Sequence, residues 1–174
     1  MSNFKEDLPS IKAFIFDVDG VLSKNSIPLN TNGEPMRMAN IKDGYALQLA
    51  VKYGYKIAII TGADTESIRV RYNKLKIEDI YLSSSIKEID YKAFKNKYNF
   101  DDSEILYMGD DIPDIPVLRL VGTPTCPADA AVEVKSISKY ISLYKGGEGC
   151  VRDVIEQVMK AQGNWMKNEH AFGW

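Results

Sequence analysis

A chain of 174 residues that is 45% hydrophobic has the size of one compact α/β domain and leaves little for a second. Lys and Arg number 22 against 24 Asp and Glu, a formal net charge of −2, which excludes a nucleic-acid footprint or a polybasic membrane patch. No apolar run is long enough to span a bilayer, and the amino terminus lacks the basic start and apolar middle of a signal peptide, so a cytoplasmic location is the expectation.

The first element is the run Phe14 to Leu22, in which Phe14-Ile15-Phe16 stops at Asp17-Val18-Asp19-Gly20. It reads as a buried strand with two carboxylates at its carboxyl end, the end at which open α/β sheets bind ligands. Side chains two apart on near-extended chain point the same way, so Asp17 and Asp19 face one crevice. Paired carboxylates repel, and the usual remedies are a shared proton or a divalent cation, for all-oxygen ligands most often magnesium. An Asx-type turn would also use these residues.

The segment from Ser23 to Met38 is rich in Asn, Pro and Gly, and Thr31-Asn32-Gly33-Glu34 is a hairpin signal, so residues 23–40 are expected as a two-strand flap in place of a cap domain. Ala46, Leu47, Leu49, Ala50 and Tyr53 then define one apolar face of a helix over 45–53, stopped by Gly54. Asp43 stands just ahead of it, placed for an N-cap. Lys56 to Ile60 is a second buried strand ending in Thr61-Gly62, followed by a helix over 64–75. Thr61 can cap that helix, and its hydroxyl with the loop amides can also receive a phosphate. A short strand over 80–82, a polar helix over 87–98 and a fourth strand over 104–108 come next, the last ending in Asp110, Asp111 and Asp114. Three acids at the end of a buried strand are better explained by a cation than by a solvated turn.

Beyond it lie a short helix over 117–121, a fifth strand within 122–131, a helix beginning at Ala128, an edge strand at Tyr140-Ile141 and an amphipathic helix over 151–159. The glycines of Lys145-Gly146-Gly147-Glu148-Gly149 read as a flexible joint, and the Walker pattern of a phosphate loop is absent. Residues 161–174 form an aromatic tail with Trp165, His170, Phe172 and Trp174. Cys126 and Cys150 belong to no Cys-X-X-Cys pair, so two reduced thiols are expected, not a disulfide or a zinc site.

Phe16-Asp17-Val18-Asp19-Gly20-Val21-Leu22, Thr61-Gly62, a lysine after the third strand and Gly109-Asp110-Asp111-X-X-Asp114 occur in order at strand ends. Together they resemble the haloacid dehalogenase-like phosphohydrolases. The resemblance implies a doubly wound, Rossmann-like α/β parallel sheet with a hairpin insertion and no large cap, spanning residues 1–174 as one domain. It implies an aspartyl-phosphate formed on Asp17, acid-base work by Asp19, and phosphate binding by Thr61 and Gly62. The motif lysine is Lys87 or Lys92, with position favouring Lys87 although Ile86, not an aspartate, precedes it. Magnesium falls to Asp17, the backbone carbonyl of Asp19 and Asp110, with Asp111 reaching it through water and Asp114 partnering the lysine. Asp43 becomes a substrate contact as an alternative to its capping role.

The capless length, the hairpin, Ile41-Lys42-Asp43-Gly44, Arg71 and the glycine-rich segment before the last helix further resemble phosphatases of keto-deoxy sugar acid phosphates in lipopolysaccharide precursor synthesis. Those are homotetramers whose neighbouring subunits close the site. Arg71 suits a sugar-acid carboxylate and equally a helix-surface ion pair. Ala63 stands where eight-carbon phosphatases carry Arg and nine-carbon relatives carry Glu. A phospho-accepting signalling domain shares clustered aspartates, magnesium, Thr and Lys, but its acceptor lies at the end of a later strand.

Overall fold

The computed structural model of the chain describes residues 3–168 and 173. Six strands form one parallel sheet in the order β3-β2-β1-β4-β5-β6: β1 Ala13–Phe16, β2 Lys56–Ile60, β3 Asp79–Tyr81, β4 Ile105–Met108, β5 Thr123–Cys126 and β6 Tyr140–Ile141. The helices are α1 Phe4–Asp7, α2 Ile41–Lys52, α3 Glu66–Asn73, α4 Lys87–Tyr98, α5 Ile115–Leu118, α6 Val132–Ile137 and α7 Cys150–Ala161.

The central strands are apolar on both sides, as a sheet covered on both faces requires. Phe14, Phe16, Ile57, Ile59, Leu106 and Met108 point to the layer of α2, α3 and α7. Ala13, Ile15, Ala58, Ile60, Ile105 and Tyr107 point to the layer of α4, α5 and α6. The order in which strands are added reverses between the parallel neighbours β1 and β4, and in a doubly wound sheet the crevice outside their carboxyl ends is the ligand site.

Several local expectations are corrected. Helix α2 starts four residues earlier than its apolar face suggests, because Asn40 accepts the N–H groups of Lys42 and Asp43 and is the actual N-cap; Asp43 lies inside the first turn. Thr61 does not cap α3, which begins after Thr65. The chain from Ala128 to Ala131 is not helical, and α6 begins at Val132. The flap does reverse at the predicted turn, with Asn30 N–H donating to Glu34 O and Met36 N–H to Pro28 O, but across that turn the two arms share one antiparallel bridge, Leu29 to Pro35, and no ladder. Two prolines explain the missing ladder, since neither Pro28 nor Pro35 has an N–H to give.

The glycine-rich segment is not a free joint. A Cβ at Gly146 would lie 1.9 Å from the carbonyl oxygen of Gly20, and Gly147 N–H donates to Val21 O at 2.8 Å. The segment is therefore packed, glycine on glycine, behind the loop that follows β1. In the tail, Trp165 stands edge-on to Tyr45 and lies beneath the Arg152 guanidinium. His170, Phe172 and Trp174 fall outside the described residues.

Candidate active site

The strands deliver their side chains to one cavity of about 510 Å³, lined by Asp17, Asp19, Thr61, Lys87, Asp110 and Asp114 among others. Asp17 N–H still donates to Met108 O, so this residue is held in sheet register as the last link of β1. Its Oδ1 accepts the Val18 N–H at 2.7 Å, and its Oδ2 lies 2.9 Å from Lys87 Nζ. Gly20 then turns the chain at φ +88°, a conformation that suits glycine.

Lys87 opens α4 and is buried with its ammonium between two carboxylates, Asp17 and Asp114, the latter at 2.6 Å. Lys92 instead pairs with Glu88 on the exposed face of α4. Asp114 is buried and fully engaged: Oδ1 accepts from Lys87 and from the Tyr107 hydroxyl, and Oδ2 from the N–H groups of Asp110 and Asp111. It acts as a strut under the lysine and the acidic loop. Thr61 is buried at the end of β2, its N–H on Tyr81 O and its hydroxyl accepting from Ala63 N–H. Gly62, Ala63, Ser84, Ser85, Asn25, Asp111 and Pro113 complete the wall.

The electrostatics follow from burial. Burial, with the nearby Asp114 charge, raises the Asp17 carboxyl to about 6, even though Lys87 opposes the shift. Burial and then the Asp17, Asp114 and Asp111 charges push Asp110 up to about 8. Burial alone would lower Lys87, but Asp17 and Asp114 outweigh it and hold the ammonium charged.

The acidic cluster fits a divalent cation. Oxygens of Asp17, Asp110 and Asp114 lie within 4.8 Å of one another, and Asp110 Oδ1 is buried with no hydrogen-bond partner among the described residues. Position 20 leaves this carboxylate its space, because a Cβ there would lie 1.9 Å from Asp110 Oδ2. With both Asp114 oxygens already engaged, Asp17 and Asp110 are the carboxylates available to a hard cation.

Two expected site residues are not brought to this cavity. Asp43 is buried where α2 meets α7, its Oδ1 accepting the Arg152 N–H at 2.7 Å and its Oδ2 unpartnered; burial raises its carboxyl to about 6. Arg71 borders a separate cavity of about 190 Å³ under the flap, beside Ser67 and Tyr72. Its Nε is buried with no partner among the described residues, so it makes no surface ion pair there.

One residue of the site carries no signal in the sequence. Arg37, in the flap, grips Asp19 with two parallel bonds, Nε to Oδ1 at 2.7 Å and Nη2 to Oδ2 at 2.8 Å, while Nη1 donates to Thr65 Oγ1. It sits in a turn-rich stretch with no period, where a charged residue is read as solvated. Tyr107 was hidden differently, as one apolar ring among others in β4.

Residues 79–154 match the haloacid dehalogenase-like hydrolase family. The 3-deoxy-D-manno-octulosonate 8-phosphate phosphatase of Escherichia coli K12 is 34% identical over 154 residues, 88% of this chain and 82% of that one. The structure of the phosphatase of that name from Moraxella catarrhalis, in complex with magnesium, phosphate and KDO, superposes with a TM-score of 0.88 at 32% identity, covering 92% of each chain. A cobalt-bound form of the Haemophilus influenzae phosphatase superposes with a TM-score of 0.86 at 29% identity, covering 90% of this chain and 92% of that one. The strand order, the carboxylates at the ends of β1 and β4 and this degree of likeness together make the chain a member of the haloacid dehalogenase-like phosphatases, within the family of the 3-deoxy-D-manno-octulosonate 8-phosphate phosphatases.

Proposed function

We propose that the chain hydrolyses the phosphomonoester of a keto-deoxy sugar acid, 3-deoxy-D-manno-octulosonate 8-phosphate, to the free sugar acid and phosphate, as a step toward lipopolysaccharide precursors. The observation that carries the chemistry is the buried Asp17 carboxylate facing the cavity with Lys87 2.9 Å away. Asp17 attacks phosphorus in line, and an aspartyl-phosphate forms as the ester oxygen leaves. Lys87, the Thr61 hydroxyl and the loop amides beside Gly62 bind and orient the phosphoryl oxygens. Asp19 gives a proton to the departing sugar oxygen and takes one from the water that cleaves the acyl phosphate. Asp114 positions Lys87.

Magnesium would be held by Asp17, Asp110 and the backbone carbonyl of Asp19, with Asp111 reaching it through water. When bound there it offsets the negative charge that nucleophile and phosphoryl group bring together. Arg71 and Asp43, outside the cavity, take part only if the flap rearranges around the sugar.

The reading extends to a single domain acting in a homotetramer in the cytoplasm. Exposed Leu29, Met36, Met38 and Ile41 on and beside the flap support an assembly, and among the described residues no helix is long and apolar enough to cross a membrane. Magnesium-dependent phosphate release from a panel of esters tests the reading, with both the eight-carbon and the nine-carbon keto-deoxy sugar acid phosphates included. A clear kcat/KM preference for the eight-carbon ester is expected, and Asp17→Asn abolishes turnover in a folded protein. Preference for the nine-carbon ester would move the substrate, with Ala63 on the cavity wall compatible with either. A long-lived phosphoprotein without phosphate release would instead favour a signalling domain.

A further inference from the structure

Asp19 is engaged on both oxygens. Arg37 holds Oδ1 and Oδ2 in a fork, and the Ser23 hydroxyl adds a third bond to Oδ1 at 3.0 Å. A carboxylate tied in this way faces the flap, not a leaving oxygen. The Arg37 side chain is only 13% exposed, so water does not readily replace Asp19 on the guanidinium. What can replace it without a large penalty is another carboxylate, because the planar fork of arginine matches that group in either molecule.

Behind the ion pair lies the cavity of about 190 Å³ that Arg37 shares with Arg71, whose Nε has no partner among the described residues. Two guanidinium groups therefore border one small space next to Asp19. The chemistry of the proposed substrate matches this adjacency. In the pyranose ring of a 2-keto-3-deoxy sugar acid, the carbon bearing the carboxylate and the carbon bearing the phosphorylated side chain flank the same ring oxygen. The acid group and the leaving oxygen thus lie near one another, as Arg37 and Asp19 do.

We propose that Arg37 is a carboxylate-exchange latch: the acid group of the substrate displaces Asp19 from the Arg37 fork, and the released Asp19, open to solvent, takes up a proton from water and turns to the leaving oxygen. The inference rests on the proposed substrate class for its acid group, but not on the number of carbons. Its consequence is that selectivity for sugar acids resides in kcat as well as in KM. A neutral phosphomonoester leaves Asp19 latched and turns over slowly even when it binds.

The test measures kcat and KM of wild type, Arg37→Gln and Arg37→Lys with 3-deoxy-D-manno-octulosonate 8-phosphate and with ribose 5-phosphate, a neutral ester. Arg37→Gln is expected to lower kcat for the sugar acid about tenfold or more, the scale of charge-assisted hydrogen bonds, while raising kcat for ribose 5-phosphate. Arg37→Lys, which keeps the charge without the fork, falls between. Acetate added to wild type should stimulate ribose 5-phosphate hydrolysis by occupying the fork, and should do nothing for Arg37→Gln. Equal losses on both esters with no stimulation by acetate would make Arg37 a structural residue and overturn the proposal. If Arg37→Gln does not fold, judged by thermal melting, Arg37→Lys and the acetate measurement on wild type decide the matter. Absence of any turnover of the sugar acid phosphate by wild type would refute the substrate, while acetate stimulation of the neutral ester would still report on the latch.

Discussion

The two aspartates that follow β1 are separated by one residue and live in opposite surroundings. Asp17 is a continuation of the sheet, buried against Lys87 and backed by Asp114, Tyr107 and the β4 loop. Asp19, 37% exposed in its side chain, answers to the flap through Arg37, which itself donates to Thr65 at the α3 cap. One side of the cavity is thus built from strand ends, whose positions the whole core determines. The other is built from turn-rich chain with isolated bridges in place of a ladder. Under the proposed mechanism, attack on phosphorus and phosphate binding fall to the first side, where geometry cannot drift. Under the same mechanism the second side supplies the proton transfer by Asp19 and the proposed discrimination among esters, and its side chains can change without disturbing the sheet.

Removing the lysine should break the sheet side most severely. Lys87→Met leaves two buried carboxylates without their counter-ion, and we expect a stability loss of about 3–5 kcal/mol in urea denaturation together with at least a hundredfold loss of turnover, about 2.7 kcal/mol or more of lost charge stabilisation. Unchanged stability would show that the lysine is not their counter-ion.

A second measurement separates the sides by pH. In the metal-free protein Asp17 and Asp110 are raised to about 6 and about 8 from an ordinary 3.8, so between pH 3.8 and 8 the folded chain keeps protons that the unfolded chain has released. Stability contributed by these groups is therefore greatest at low pH and declines as pH rises through that window. Magnesium requires the ionised forms, so the increase in Tm on adding it should grow from pH 5 to pH 8. A magnesium effect independent of pH would place the ion away from these carboxylates.

On the flap side the effects are smaller. Thr65→Val removes the bond to Arg37 Nη1 and should cost about 1 kcal/mol or less in thermal unfolding, with kcat/KM for the sugar acid changed by less than about fivefold. A loss as large as that of Lys87→Met would erase the distinction between the two sides. Lys92→Ala sets the baseline, because its exposed pair with Glu88 is worth no more than about 0.5 kcal/mol, and turnover should match wild type.

Much of the sheet side was legible in the sequence for the reason that makes it rigid. Buried strands are short apolar runs, and a carboxylate or hydroxyl that ends one is conspicuous, so Asp17, Thr61 and Asp110 could be brought to one edge by topology alone. The structure then separated Lys87 from Lys92 by burial, which sequence position only suggested. The flap side was opaque. Arg37 has neither period nor strand end to mark it, and its partner Asp19 reads as a twin of Asp17 until their surroundings are seen. Asp43 and Arg71 carried a family role, but their places are set by how α2 meets α7 and by which way α3 turns its last residues, packing details that spacing does not encode. The glycines at 146 and 147 read as a loose joint in the sequence because a close approach uses the same residue.

That close approach has a temporal consequence. Gly20 and Gly146 are separated by 126 positions, yet the carbonyl of one leaves no room for a side chain on the other. The loop carrying Asp17 and Asp19 is therefore made well before its backing, and all six strands lie between the start of β1 and that backing. Such long-range closure is slow relative to local helix formation. A nascent chain halted before Gly146 would carry both aspartates after β1 without the glycine contact that backs their loop. Phosphatase activity should therefore appear only after Gly146 has been made, when all six strands are already present.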